Sequence, residues 1–203
     1  MEFWNSQLTE KSWEVLKEIR KKYNFILIGG WAAYLWTKQQ KSKDIDIIVS
    51  INELQKLKKE NISKNDNLKK YEIKQGDVDI DIYVEYYSKL AIPVYELKNY
   101  ISKVEGFNVI LPEALLVLKQ GAEFERANSI KGEKDKIDII SILFLPDFNF
   151  KNYKNILKKY SLEKYLERLV SIAKNFKEFD SLNLNPWQFK IKKEKVLKGL
   201  KRL

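Results

Sequence analysis

Asp44 and Asp46 interrupt the run of isoleucine and valine in DIDIIV, and Asp77, Asp79 and Asp81 recur at the same spacing in DVDIDIYV. Side chains alternate across an extended strand, so Asp44 and Asp46 would share one face while Ile45 and Ile47 take the other. Asp77, Asp79 and Asp81 likewise share a parity opposed to Val78, Ile80, Ile82 and Val84. If the two strands are neighbours, two or three carboxylates converge. Two like charges about 4 Å apart repel by roughly 1 kcal/mol in water and by several times that at a protein surface. A divalent cation relieves that repulsion, and carboxylate oxygens select a hard one, Mg²⁺ or Mn²⁺. Without a cation the same pattern describes the polar faces of half-exposed strands, each aspartate solvated.

The remaining composition narrows the chemistry. The 203 residues contain no cysteine and no histidine, which excludes disulfides, a thiolate nucleophile, zinc–thiolate sites and the usual proton shuttle. Acid–base and metal chemistry is left to carboxylates, lysines and hydroxyls. Lys and Arg number 38 against 28 Asp and Glu, a formal charge of +10. That balance favours polyanionic partners such as nucleic acid or nucleotides, although a dense Lys/Glu surface is also plain solvent chemistry. There is no signal-peptide pattern and no apolar run of membrane-spanning length, so a cytoplasmic protein without a membrane partner is expected.

The elements that must position the aspartates can be read outward from them. FILI (Phe25 to Ile28) predicts a short strand ending at Gly29-Gly30, and WAAYLW a closely packed helix after it. A diglycine between strand and helix lets a phosphate approach the backbone N–H groups at a helix start, or is simply a tight turn. Leu8, Trp13, Leu16 and Ile19 predict an amphipathic helix from about Gln7 to Tyr23, and Ser50 with Glu53 predicts a capping box opening a helix to about Lys59. Asn61 to Lys70 reads as a polar loop. YEIK and VDIDIYVEY read as a hairpin about Gly76. Beyond Pro93 the pattern predicts a helix over Tyr95 to Ser102, a strand NVIL, and a helix from Pro112 to about Arg126. SIKGEKDK reads as a charged loop leading into IDIISILFL. From Asp147 onward only helical patterns occur, broken at Tyr160-Ser161 and at Asn183 to Pro186. The expected division is therefore a domain over residues 1–146 and a helical extension over 147–203.

Gly29-Gly30, thirteen intervening residues, and then Asp44-Ile45-Asp46 resemble the signature of the DNA polymerase β-like nucleotidyltransferase superfamily. LLVLKQGAEFER followed by KGEKDKIDIISIL is similar to the paired helices of the AbiEii-type nucleotidyltransferases, which include type IV toxin–antitoxin toxins. The resemblance covers about Phe25 to Leu145. It implies an α/β (α+β) fold, with a small mixed sheet flanked by helices and a C-terminal helical extension. It also implies transfer of a nucleoside monophosphate from an NTP to an acceptor hydroxyl, with Mg²⁺ or Mn²⁺ on Asp44, Asp46 and Asp81 and Asp79 as the alternate third carboxylate. Gly29 and Gly30 would donate to the phosphates. Lys119 would touch the triphosphate and Asp135, rather than Asp138, would orient it or the acceptor hydroxyl.

The resemblance makes tRNA or another RNA the first acceptor to consider and an antitoxin protein a candidate partner. A small-molecule transferase of the antibiotic-modifying kind and a non-catalytic nucleotide-binding module are the alternatives. Trp31 departs from the small or hydroxyl residues common after the glycines and would narrow the nucleotide site. Read from the residues alone, Lys119 is equally a snorkelling lysine at a helix rim, and Asp135 and Asp138 equally ease the positive end of their own helix. In the last segment, basic residues with Trp187 and Phe189 suit an RNA backbone and a stacked base. Ile191, Val196, Leu197 and Leu200 suit a helix docked on the core.

Overall fold

The computed structural model describes residues 5–203. By packing, the chain forms two compact units, residues 5–111 and Pro112–Leu203.

The first unit is a seven-stranded mixed sheet with helices α1 (Ser6–Lys22), α2 (Gly29–Thr37) and α3 (Ile51–Leu57). Its strands are β1 (Ile26–Ile28), β2 (Ile45–Val49), β3 (Ile62–Asn65), β4 (Lys70–Gln75), β5 (Val78–Val84), β6 (Ile101–Val104) and β7 (Phe107–Ile110), in the order β3-β4-β5-β2-β1-β7-β6. β2 runs parallel to β5 and β1 parallel to β7, while the other neighbours are antiparallel. Ile45, Ile47, Ile80, Ile82 and Val84 share one face and are all buried. Ile19 of α1, Tyr23 just after it and Leu57 of α3 enclose a cavity of about 290 Å³ with Ile47, Ile73 and Ile80, so the helices lie on this apolar face. The aspartates of β2 and β5 take the opposite one.

Three local expectations are corrected in this unit. Residues 62–65, read as loop, form edge strand β3, whose ISKN sequence lacks apolar alternation because it is held by main-chain pairing with β4. The helix expected over Tyr95 to Ser102 is a 3-10 turn at Val94–Asn99 followed by strand β6. The β6–β7 hairpin closes through Glu105 (φ 49°) and Gly106 (φ 79°), the paired left-handed residues of a tight hairpin turn. Finally, Ser50 accepts from the Glu53 N–H as expected, but the Glu53 carboxylate serves Asn24 N and Lys56 Nζ instead of closing the capping box.

The second unit is helical: α4 (Pro112–Arg126), α5 (Ile130–Leu143), α6 (Phe150–Lys159), α7 (Lys164–Asn175) and α8 (Pro186–Lys201), with a 3-10 turn at Phe179–Leu182. The expected charged loop is the first turns of α5, capped by Ser129 Oγ accepting from Gly132 N at 3.0 Å. Tyr153 of α6 donates to Gln120 of α4 at 2.7 Å, and Gln120 donates to the Tyr165 carbonyl at 2.8 Å, satisfying three buried polar groups at once. On α8, Val196 and Leu200 are buried as docking residues, whereas Ile191 and Trp187 are exposed. Phe189 is buried among Phe144, Phe176 and Phe179. Among the described residues no helix is long and apolar enough to cross a membrane.

Candidate active site

Strand register builds the site. Ile28 of β1 lies opposite Asp46, Asp46 beside Asp81, Asp81 opposite Glu72, and Glu72 opposite Ser63. One row across five strands therefore carries three consecutive carboxylates on the face turned away from α1 and α3. Asp81, not Asp79, lies beside Asp46; Asp79 is exposed and opposite Lys74. Asp77 belongs to the hairpin turn, where it pairs with Lys11 at 3.0 Å, and so leaves the expected acidic edge. Asp44 lies half-buried in a bend one residue ahead of β2, not within the strand.

The diglycine stands at the end of the same row. Gly29 has φ +66°, and a Cβ placed on it would lie 2.0 Å from Asp46 Oδ2. Only glycine permits both the conformation and the approach of the carboxylate. No side chain caps the start of α2, where the first N–H groups of a helix carry partial positive charge suited to an anion. Trp31 does not enter this region. The residue is 1% exposed, its ring packs at a tilt against Trp13, and its Nε1 donates to Ser12 Oγ at 2.9 Å. Trp31 is a core residue binding α2 to α1, and the narrowing expected of it is absent.

Lys70 was not foreseen. Its Nζ lies 2.7 Å from Asp81 Oδ2 and 3.0 Å from Glu72 Oε1. Burial, then the charge of Asp46, push the Asp81 carboxyl up to about 6 against the pull of Lys70. Burial opposes the Lys70 ammonium, but Asp81 and Glu72 hold its pKa above the ordinary value. A signal for Lys70 was present in the sequence: pairing Gln75 with Val78 about the Gly76 turn puts Glu72 opposite Asp81 by counting, and Lys70 two residues further on the same face.

The donors suit a hard divalent ion. Asp46 and Asp81 offer adjacent carboxylates whose mutual repulsion adds to burial in weakening the acidity of Asp81. Mg²⁺ is commonly held by one or two carboxylates, with waters and substrate phosphates completing its shell. A dedicated protein cage is not present, since among the described residues no three acidic, His or Cys side chains are grouped to hold a metal.

In the second unit, α4 and α5 bring Lys119, Asp135 and Asp138 together. Lys119 Nζ lies 3.1 Å from Asp135 Oδ1 and 2.7 Å from Asp138 Oδ2. Arg126 Nε adds 2.8 Å to Asp135, and Lys134 Nζ 2.9 Å to Asp138. Burial would raise Asp135, but Lys119 and Arg126 hold it below the usual carboxylate range. Burial depresses Lys134. The two aspartates share a helix face as their spacing implies, and Lys119 is a buried ion-pair partner rather than a lysine reaching water.

Neither a family model nor a curated protein sequence matches the chain. Solved structures do. The JHP933 protein of Helicobacter pylori superposes with a TM-score of 0.51 at 17% identity over 98% of this chain and 95% of its own. A Helicobacter pylori protein described as a candidate nucleotidyltransferase gives a TM-score of 0.51 and 17% identity over 98% of each chain. An antigenic nucleotidyltransferase-like protein of Paracoccidioides brasiliensis gives 0.50 and 20% over 87% of this chain and 92% of its own. At these identities the likeness establishes the fold: a mixed α/β architecture shared with nucleotidyltransferase-like proteins.

Proposed function

We propose that the chain is a Mg²⁺-dependent nucleotidyltransferase that moves a nucleoside monophosphate from an NTP to an acceptor hydroxyl, with tRNA or another RNA as the first acceptor to test. The observation that carries this reading is the pairing of Asp46 with Asp81 beside the uncapped start of α2 at Gly29. The fold shared with nucleotidyltransferase-like structures supports it. Asp46 and Asp81, with Asp44, would hold Mg²⁺ or Mn²⁺, which when bound neutralises charge on the triphosphate and on the departing pyrophosphate. Gly29 and Gly30 would present N–H groups to phosphate oxygens. The acceptor oxygen forms a bond to the α-phosphorus as the α–β anhydride bond breaks, pyrophosphate leaves, and the hydroxyl proton passes to Asp81.

The finer AbiEii-type reading adds Lys119 as a triphosphate contact and Asp135 as the residue that orients it, and with them an antitoxin as partner. Its support is the sequence resemblance together with the gathering of Lys119, Asp135 and Asp138 in one buried cluster.

Incubation with each α-labelled NTP, total RNA and Mg²⁺ tests the proposal. Label on RNA from the wild type, and none from Asp46→Ala, is the expected result. Label that appears only on a small molecule would move the acceptor class. Absence of transfer, with no thermal stabilisation by Mg²⁺ and nucleotide, would overturn the enzymatic reading.

A further inference from the structure

We propose that Lys70 is a tethered cation that competes with the divalent ion for Asp81 and so sets how tightly the carboxylate pair holds that ion. The inference rests on the metal reading of the site given above.

Three observations carry it. The ammonium is 2.7 Å from Asp81 and 3.0 Å from Glu72, and the side chains of Lys70, Asp81 and Glu72 are 12%, 17% and 26% exposed. A shielded pair of this kind is far less weakened by water and salt than a surface pair. Second, Lys70 is fixed by register rather than by chance side-chain reach: it opens β4 on the face that carries Glu72 and Asp81. Third, its alternative partner is anchored, since Asn65 Nδ2 donates to Glu72 Oε1 at 3.1 Å. Asp46, Asp81 and Glu72 are three consecutive negative groups, and Lys70 supplies the positive charge placed between the last two. An ion arriving at Asp46 and Asp81 must share Asp81 with the ammonium or drive it onto Glu72 alone. Glu72 is the place to which Lys70 withdraws.

Mn²⁺ binding, followed by electron paramagnetic resonance without nucleotide, tests this in wild type, Lys70→Met, Asp81→Asn and the double variant. Lys70→Met is expected to tighten Mn²⁺ binding about tenfold. In the Asp81→Asn background the same substitution should change it by less than about threefold, the residue of a general field effect. Lys70→Gln, which keeps a polar side chain without the charge, should reproduce the tightening and serves if Lys70→Met does not fold. Unchanged or weaker binding in both Lys70 variants, equal tightening in the two backgrounds, or no saturable Mn²⁺ binding in any protein would each overturn the proposal. Failure of label transfer by the wild type with the Mn²⁺ response intact would overturn the nucleotidyltransferase reading alone.

Discussion

Replacing Gly29 by alanine asks one residue two questions. A Cβ there would fall 2.0 Å from Asp46 Oδ2 on a backbone at φ +66°, so Gly29→Ala should cost about 1 to 3 kcal/mol in urea unfolding and displace Asp46, lowering transfer as well as stability. Asp81 makes a prediction of opposite sign. Burial and Asp46 keep its proton bound to about pH 6 in the folded chain, whereas the unfolded chain releases it near about 4. The folded state thus holds the extra proton, and stability falls as pH rises through that interval. In EDTA, Asp81→Asn should be more stable than wild type by about 1 to 2 kcal/mol above pH 6, with the gain vanishing near about pH 4. Urea midpoints across pH measure it, and a gain that grows toward acid would refute the assigned environment. At this scale the sequence was informative about Asp46, Asp81 and Gly29, because strand alternation and a diglycine turn are local rules. It was silent about where the Lys119 ammonium goes, because that is decided by how α4 meets α5.

Elements were legible wherever an apolar stripe faced a core. α1, α4, the β4–β5 hairpin and the C-terminal helices follow their patterns. β3 and β6 did not show, because both are edge strands specified by backbone pairing to a neighbour rather than by buried side chains. The start of α5 was hidden for a related reason: its first turns are charged, and their stabilisation comes from the Ser129 cap. One tie between elements is sharply testable. Glu123 of α4 is fully buried and accepts from Arg168 Nε of α7 at 3.0 Å. Glu123→Ala should destabilise the chain by about 2 kcal/mol, below the cost of breaking a wholly buried pair because the Arg168 guanidinium retains water. Chemical denaturation checks this, and a change under about 0.5 kcal/mol, the range of an ordinary surface substitution, would contradict it.

For the whole molecule, the formal charge of +10 ties the acceptor to ionic strength. If RNA is the acceptor, raising salt from about 50 to about 200 mM should weaken RNA binding at least about tenfold, as expected for several phosphate contacts, while NTP-independent Mn²⁺ binding responds less. Salt-insensitive RNA binding would point instead to a small-molecule acceptor. The most direct measurement is anomalous diffraction from crystals soaked with Mn²⁺ and a non-hydrolysable NTP. A manganese peak at about 2.2 Å from oxygens of Asp46, with triphosphate oxygens against the Gly29–Gly30 backbone, is the expected result. Manganese and triphosphate bound away from the Asp46–Asp81 row, or no ordered ion under saturating conditions, would contradict the assignment of this row as the catalytic centre.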